Sequence, residues 1–251
     1  MSDDEIGAIL HRLFIGREGT SLRREDLQKV HEVRALVAAL GKVRRGAHLV
    51  DAAAGKSAVG LIAAELLPIG RLTIIERDPR RVAAARAAVT RLGRPIPVEI
   101  READVDDEGA WPEAPDAVVA LHACGAASDR ILAQAARVRA RFVFVVPCCY
   151  GGDVPGIERA LDRADRIGAA DHVGIRRRLA TALVDLERTL RLEAAGYEVE
   201  TTDFVGATVT PHNLLLRGRR TMNEARIARA RARLEAPPFD DGDQLTRVVA
   251  P

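Results

Sequence analysis

Lysine is almost missing from this chain: it stands only at positions 29, 42 and 56, and arginine supplies the rest of the 38 basic residues. Guanidinium forks suit phosphate oxygens, but a GC-rich genome writes the same bias, so the excess names no partner by itself. Aromatic residues make up 3%, which leaves few stacking platforms for single-stranded nucleic acid. Three cysteines, two of them neighbours, do not make a disulfide framework, and a reducing, cytoplasmic setting is expected. Every apolar run is far short of a membrane span, so neither a transmembrane helix nor a membrane partner is expected. The stretch MSDDEIGAIL is acidic and lacks a basic n-region, so a signal peptide is not expected. A net charge of +2 is too small to imply a polyanion partner.

What the chain has in quantity is apolar residues, 47% of 251, with 29% charged. That suits one large domain or one domain with appendages. Residues 3–13 read as a short helix, broken by the Gly16–Gly19 stretch. In SLRREDLQKVHEVRALVAAL, Leu27, Val30, Val33, Val37 and Leu40 form one apolar helical face, with Ser21 as a plausible N-cap. The pattern then alternates. AHLVDAA, RLTIIERD, IPVEIREADV, DAVVALHACG and RFVFVVPCC read as strands. SAVGLIAAELL, PRRVAAARAAVTRL and ASDRILAQAARV read as helices, with Pro79 placed near a first turn. Alternation of this kind indicates a parallel sheet covered on both faces.

Helices follow. Ile157, Leu161, Ala164 and Ile167 share one face, and Leu179, Leu183, Leu186 and Leu190 share another. YEVETTDFV and ATVTPHNLLLRG read as a closing antiparallel hairpin, in which a turn explains His212 and Asn213 as well as a function would. ARIARARARLEA is an arginine-rich helix, and the residues after it read as a mobile tail. The expected fold is α/β: a Rossmann-like, seven-stranded sheet with helices on both faces and a C-terminal antiparallel hairpin, the architecture of class I S-adenosylmethionine (SAM) methyltransferases.

In open α/β sheets, ligands bind beyond the carboxyl ends of the strands. The first such end is LVDAAAGKSAVG, where Gly55 lets a ligand approach the backbone and a helix N-terminus offers free N–H groups. A nucleotide P-loop would need a glycine where Val50 stands, and a nicotinamide loop would need G-x-G-x-x-G, of which only Gly55 and Gly60 remain. SAM fits better. Asp51 at the end of the first strand can hold the cofactor's amino-acid end. Glu76 at the end of the second can accept from both ribose hydroxyls, and Asp104 at the end of the third can accept from the adenine amino group. One strand-end carboxylate means little, since many cap helices; three on consecutive strands are more specific.

Four ordered motifs also resemble one family. LQKVHEVRAL is similar to a K-x-H-E-V helix, and LVDAAAGKSAVGL to a D-x-G-A-G-K-G loop. LHACGAASDRIL and FVFVVPCCYGG resemble the LHACG and PCCY motifs of the same methyltransferase-like proteins. Transfer-RNA 2′-O-methyltransferases with LCG and CCH motifs look like more distant relatives. The resemblance runs from about residue 27 to 152. It implies cofactor contacts at Asp51, Gly55, Lys56 and Glu76 and suggests roles for Lys29, His31 and Glu32. With Asp104 from the strand-end reading, Ala53 in the loop and Leu121 before His122, these are the expected cofactor-binding residues, with S-adenosyl-L-homocysteine as product. The resemblance also suggests catalytic roles for His122, Cys124, Cys148, Cys149 and Tyr150. The order of elements along the chain gives the expected domains: an N-terminal helical cap over 1–45, a SAM-binding core over 46–220, and an arginine-rich helix with a tail over 221–251. Ala53 and Ser57 replace two loop glycines of the family, and Gln28 stands where many relatives carry a second lysine.

Strand alternation makes His122 and Cys124 lean the same way if the strand persists that far. LHACG and PCCYG are then expected side by side at the rim where the methyl group emerges, with Pro147 turning the chain and Gly151 and Gly152 bending it. The cysteines can pack against cofactor or substrate. They can also act directly, as acid, base or transient nucleophile, given a lowered thiol pKa. A metal site with His122 has suitable ligand types, but adjacent cysteines lack zinc-knuckle spacing, and no metal is expected. A strained disulfide is the last alternative. His122 is the leading candidate base, and Tyr150 can orient an acceptor or close the pocket.

The expected activity is transfer of the SAM methyl group to an oxygen or nitrogen acceptor. RNA leads as acceptor, on the resemblance and on Arg23, Arg24, Arg176–Arg178 and the arginine-rich helix. A small molecule or a protein side chain is the alternative. A reading of another class, an inactive SAM-binding or interaction module, draws on the altered loop glycines.

Overall fold

The computed structural model describes residues 1–16, 22–41, 43–210 and 213–236. Ser21, His212 and the expected tail lie outside them. Two helices come first, α1 (Asp3–Leu10) and α2 (Arg24–Leu40), with a π-helical segment at His11–Ile15 after α1. Ser2 caps α1 by accepting from the Glu5 N–H, and the Asp26 carboxylate accepts from the Arg23 N–H at the start of α2. Val30, Val33, Val37 and Leu40 are buried as their spacing requires, whereas Leu27 is half exposed.

The alternating region follows as β1 (His48–Ala52), α3 (Ala58–Leu66), β2 (Arg71–Glu76), α4 (Pro79–Val89), β3 (Val98–Glu102), β4 (Ala117–Cys124), α5 (Ala127–Arg137) and β5 (Phe142–Cys148). Asp78 caps α4 by accepting from the Arg80 N–H, with Pro79 at the first helical position, where a missing N–H costs nothing. Then come α6 (Ile157–Ala164), α7 (Val173–Ala194), β6 (Tyr197–Asp203), β7 (Leu214–Arg220) and α8 (Glu224–Leu234).

The strands form one seven-stranded sheet in the order β3-β2-β1-β4-β5-β7-β6. The β1–β2, β1–β4, β2–β3 and β4–β5 pairs are parallel. Cross-strand ion pairs Glu198–Arg219 and Glu200–Arg217 step in opposite chain directions, the mark of an antiparallel β6–β7 hairpin. Strand order reverses between β1 and β4, and such a switch point opens a crevice at the strand tips. Covered on both faces, β4 and β5 are near-continuous apolar runs, buried from Ala117 to Ala120 and from Val143 to Cys148.

The chain divides into two compact units: Met1–Cys149 with Glu200–Arg217, and Tyr150–Val199 with Gly218–Pro251. In the first, Ile6, Leu10, Val33 and Val37 of the N-terminal helices share one core with Leu49, Leu61, Ile74 and Phe144. In the second, Val154, Ile157, Ala160, Ala180 and Val184 pack together. There the buried face of α7 carries Ala180, Val184, Glu187, Arg188 and Leu190, while Leu186 is exposed. Glu187 accepts from Arg159 at 2.9 Å and from Arg191 at 2.6 Å, and a charge paired in this way can occupy an inward position. Ile167 is also exposed, because the backbone leaves the helical region at Gly168 (φ 94°). Among the described residues, no helix is long and apolar enough to cross a membrane.

Candidate active site

The loop from β1 to α3 closes on a buried carboxylate. Asp51 Oδ2 accepts from Ser57 Oγ at 2.7 Å and from the Gly60 N–H at 2.9 Å. Gly60 is required here, since a Cβ at that position would meet Asp51 Oδ2 at 2.8 Å. Burial pushes the Asp51 carboxyl up to about 7, against the opposing pull of Ser57, Gly60 and Lys29. Ala53 (φ 49°), Gly55 (φ 59°) and Ser57 (φ 59°) all take left-handed backbone. Ala53 and Ser57 thus adopt a conformation that glycine would hold without steric cost. Ser57 has gained a hydroxyl aimed at Asp51; Ala53 has gained nothing of the kind.

Glu76 ties this loop to β2. Its Oε2 accepts from the Gly55 N–H at 2.6 Å and its Oε1 from the Asp78 N–H at 2.9 Å. Asp104, beyond β3, pairs with Arg77 at 3.1 Å and accepts from the Asp106 N–H. Burial raises its pKa, but the N–H bond and Arg77 outweigh that and hold it below the usual carboxylate range.

His122 sits on a β-bulge. The β4–β5 register runs from Leu121↔Val146 to Ala123↔Pro147, which leaves His122 without a partner, at φ 57°. The extra residue breaks the expected alternation, so the consecutive residues Leu121 and His122 both line one cleft. Pro147 lies inside β5 opposite this irregularity instead of turning the chain, in keeping with the confinement of strand prolines to edges and bulges. The left-handed turn falls at Cys149 (φ 58°), and neither Gly151 nor Gly152 takes positive φ.

Behind His122, its Nε2 lies 2.9 Å from Oε1 of Glu32, a buried carboxylate on α2. Gln28 Nε2 donates to the same oxygen at 3.3 Å, and Lys29 Nζ lies 3.8 Å from Oε2. Burial alone would raise the Glu32 pKa; His122, Lys29 and Gln28 outweigh it and hold it below the usual carboxylate range.

The three thiols meet where β4 and β5 end. Cys124 Sγ lies 3.1 Å from Cys148 Sγ and 3.5 Å from Cys149 Sγ. Burial pushes the Cys148 thiol well above its ordinary range, and its two sulfur neighbours push it further. Burial raises Cys124 as well. Direct thiolate chemistry needs a shift in the opposite direction.

A cleft of about 510 Å³ brings Lys29, Asp51, Ala53, Gly55, Lys56, Leu121, His122 and Cys124 together. Glu32, Glu76, Asp104, Cys148 and Cys149 are not among its lining residues. His31 faces elsewhere, its Nδ1 3.3 Å from Asp3 Oδ2 beside a separate hollow. Tyr150 belongs to the second unit, where its hydroxyl donates to Asp185 at 2.6 Å and its ring lies under the Arg188 guanidinium. Sequence reasoning missed Leu10, Phe14, Ile15, Asp26 and Arg81, which also line the cleft. Arg81 carried a readable signal, as a cation in the first turn of the helix that follows an acidic strand end. Phe14 and Ile15 depend on the π-helical segment, which apolar spacing does not encode.

A doubly wound sheet whose cleft opens at its switch point, over a buried carboxylate and a glycine-bearing loop, defines the Rossmann-like fold of class I methyltransferases. The family described as "Methyltransferase domain" matches residues 27–152, half of the chain, and the chain belongs to it. The glutathione S-transferase C-terminal domain-containing protein of Homo sapiens is 27% identical over 224 residues, 80% of this chain and 35% of that protein. Its homolog in Drosophila melanogaster is 33% identical over 124 residues, 39% of this chain and 21% of that protein. The chain therefore spans about a third or less of the length of these curated relatives. Among solved structures, magnesium protoporphyrin IX methyltransferase from Synechocystis PCC 6803, with bound SAM, is similar in fold. Its TM-score is 0.50 at 13% identity, over 88% of this chain and 98% of that one.

Proposed function

We propose that this chain transfers the methyl group of SAM to an oxygen or nitrogen atom of an RNA acceptor, releasing S-adenosyl-L-homocysteine. The observation that carries the reading is the meeting, in one cleft of about 510 Å³, of a buried carboxylate, a left-handed glycine loop and an imidazole backed by a second carboxylate. A volume of this size lies within the range that holds small molecules and cofactors, roughly 300–1,000 Å³.

The residues present fit the cofactor. Asp51 is the group for its ammonium end. Gly55 leaves its backbone open, since an added Cβ there would have no heavy atom within 4 Å. Glu76, though it already accepts from two backbone N–H groups, keeps lone pairs for ribose hydroxyls. Asp104, paired with Arg77, is the weakest of the three carboxylate assignments. When bound, the cofactor supplies a methyl group on a sulfonium, open to in-line displacement.

The chain's own residues then orient the acceptor and remove its proton. With Glu32 ionised, His122 Nε2 carries the hydrogen that Glu32 accepts, and Nδ1 is the nitrogen left to take a proton. Glu32 is a positioning residue: it fixes the tautomer and stabilises the imidazolium that forms, the division of labour of an imidazole–carboxylate pair. Lys29, Lys56 and Arg81 bring positive charge to the cleft, suited to the cofactor's carboxylate and to an acceptor phosphate. The choice of RNA draws on these cations, on the arginine bias and on the resemblance of LHACG and PCCY to transfer-RNA 2′-O-methyltransferase motifs.

Incubating the chain with SAM tritiated on its methyl group, then fractionating cell extract, tests the reading. Label in RNA, released by ribonuclease and diminished when moderate salt is present during the incubation, is the expected result. Label confined to small molecules or to protein would overturn the RNA assignment, and no transfer to any fraction would overturn the enzyme.

A further inference from the structure

The three cysteines meet through the register of β4 and β5 and through one backbone turn that strand geometry alone would not provide. Cys124 ends β4 and Cys148 ends β5, and the two are register partners on neighbouring strands, so their side chains leave the sheet together. Cys149 is the next residue, and on a regular strand it would point to the opposite face. Its left-handed backbone (φ 58°) redirects it, so that its Sγ lies 3.5 Å from Cys124 Sγ. A non-glycine residue in that region costs about 1–2 kcal/mol, and such strain tends to persist at functional sites. Here it delivers a third sulfur to a pair already 3.1 Å apart. All three sulfurs lie within 4.8 Å of one another.

We propose that Cys124, Cys148 and Cys149 form a three-sulfur binding site for a Zn²⁺ ion. Zinc–sulfur bonds of about 2.3 Å in a tetrahedron place sulfurs roughly 3.8 Å apart. Two of the separations, 3.1 and 3.5 Å, fall a few tenths of an ångström short of that value and all three sulfurs lie within 4.8 Å, so binding asks only for small side-chain rotations. Sulfur ligands select Zn²⁺ over the oxygen-seeking Mg²⁺ and Ca²⁺. The lack of zinc-knuckle spacing is no obstacle, because β4 supplies one ligand across the sheet and the turn at Cys149 makes two neighbours converge. Binding replaces three S–H bonds by three Zn–S bonds and releases three protons to solvent, leaving the cation one coordination position. Cys124 also lines the cleft, so the ion would stand at its margin with that position available to water or to a donor atom of the acceptor. The site does not depend on the SAM reading.

The full chain, reduced and stripped with chelator, is titrated with Zn²⁺ against a chromophoric competitor, without SAM. One equivalent should bind. Co²⁺ used as a substitute should give sulfur-to-cobalt charge-transfer bands with the intense visible bands of a tetrahedral ion. Cys124→Ser and Cys149→Ser alter the two exposed cysteines and spare the buried Cys148, so folding, checked by circular dichroism, should survive. Each should weaken Zn²⁺ binding at least a hundredfold. On the unaltered chain, saturating Zn²⁺ should slow iodoacetamide alkylation of all three cysteines together. Equal Zn²⁺ affinity in folded Cys124→Ser, unprotected alkylation, or an octahedral oxygen-ligated Co²⁺ spectrum would each overturn the site.

Discussion

The Nε2 atom of His122 lies 2.9 Å from Oε1 of Glu32, 90 positions earlier in the chain. A bulge on β4 and a helix ahead of the first strand thus produce an imidazole at the edge of a cleft with a buried carboxylate behind it. In the proposed function the two act together, His122 as the base and Glu32, expected from the sequence as a cofactor contact, as the group that holds it.

Replacing His122 by alanine should lower turnover by about a hundredfold or more, the range for loss of a general base, while SAM affinity changes less than threefold. Glu32→Gln keeps the shape and loses the charge. It should lower kcat about tenfold with little change in KM and move the acidic limb of the pH–rate profile, which a purely structural role would leave in place. Steady-state kinetics with calorimetry for SAM checks both. Wild-type turnover in His122→Ala would remove the base assignment.

Asp51 links cofactor binding to pH. With its carboxyl pushed up to about 7, the folded, cofactor-free protein holds a proton that the unfolded chain loses near pH 4. The folded state binds more protons across that window, so Asp51's contribution makes stability fall as pH rises from about 4 to about 7 and level off above. A cationic ammonium favours the ionised form, so SAM affinity should rise with pH up to about 7, with proton uptake by buffer. Calorimetry in buffers of different ionisation enthalpy measures this, and Asp51→Asn should flatten the dependence. An unaltered pH response in that variant would detach Asp51 from the cofactor's cation.

Glu76→Ala should weaken SAM binding at least tenfold, because it removes the ribose acceptor and frees the Gly55 N–H held at 2.6 Å. Unchanged affinity by titration would end the ribose assignment.

Ala53 offers a test of backbone strain. At φ 49° it sits where a side chain costs about 1–2 kcal/mol. Ala53→Gly should relieve that, less the entropy glycine adds to the unfolded chain, for a net gain of about 0.5–1 kcal/mol and a rise in Tm of a few degrees. Urea unfolding reads it directly, and a lower midpoint would show the loop to be unstrained.

Much of this was legible because it is written locally. The β/α alternation, the helix begun at Pro79, and Asp51 and Glu76 at strand ends all follow from periodicity and strand-end chemistry. The misplacements have a common cause as well. His31 and Glu32 are neighbours on one helix, yet one pairs with Asp3 and the other with His122, because adjacent helical residues point about 100° apart. Leu186 and Ile167 fit apolar faces by spacing. Paired charges at Glu187 in one case, and the break at Gly168 in the other, decided what was buried.

The sequence by itself determined the layered sheet, the loop that closes on Asp51 and the arrival of LHACG and PCCY at neighbouring strand ends. These depend on side-chain period and on turn chemistry, which each short segment carries with it. Tertiary structure alone decided that His122 leaves its strand's alternation, that Glu32 rather than His31 stands behind it, and that three sulfurs converge. Those outcomes rest on a register shift and on a left-handed turn, and both are settled by how neighbouring strands pack against each other.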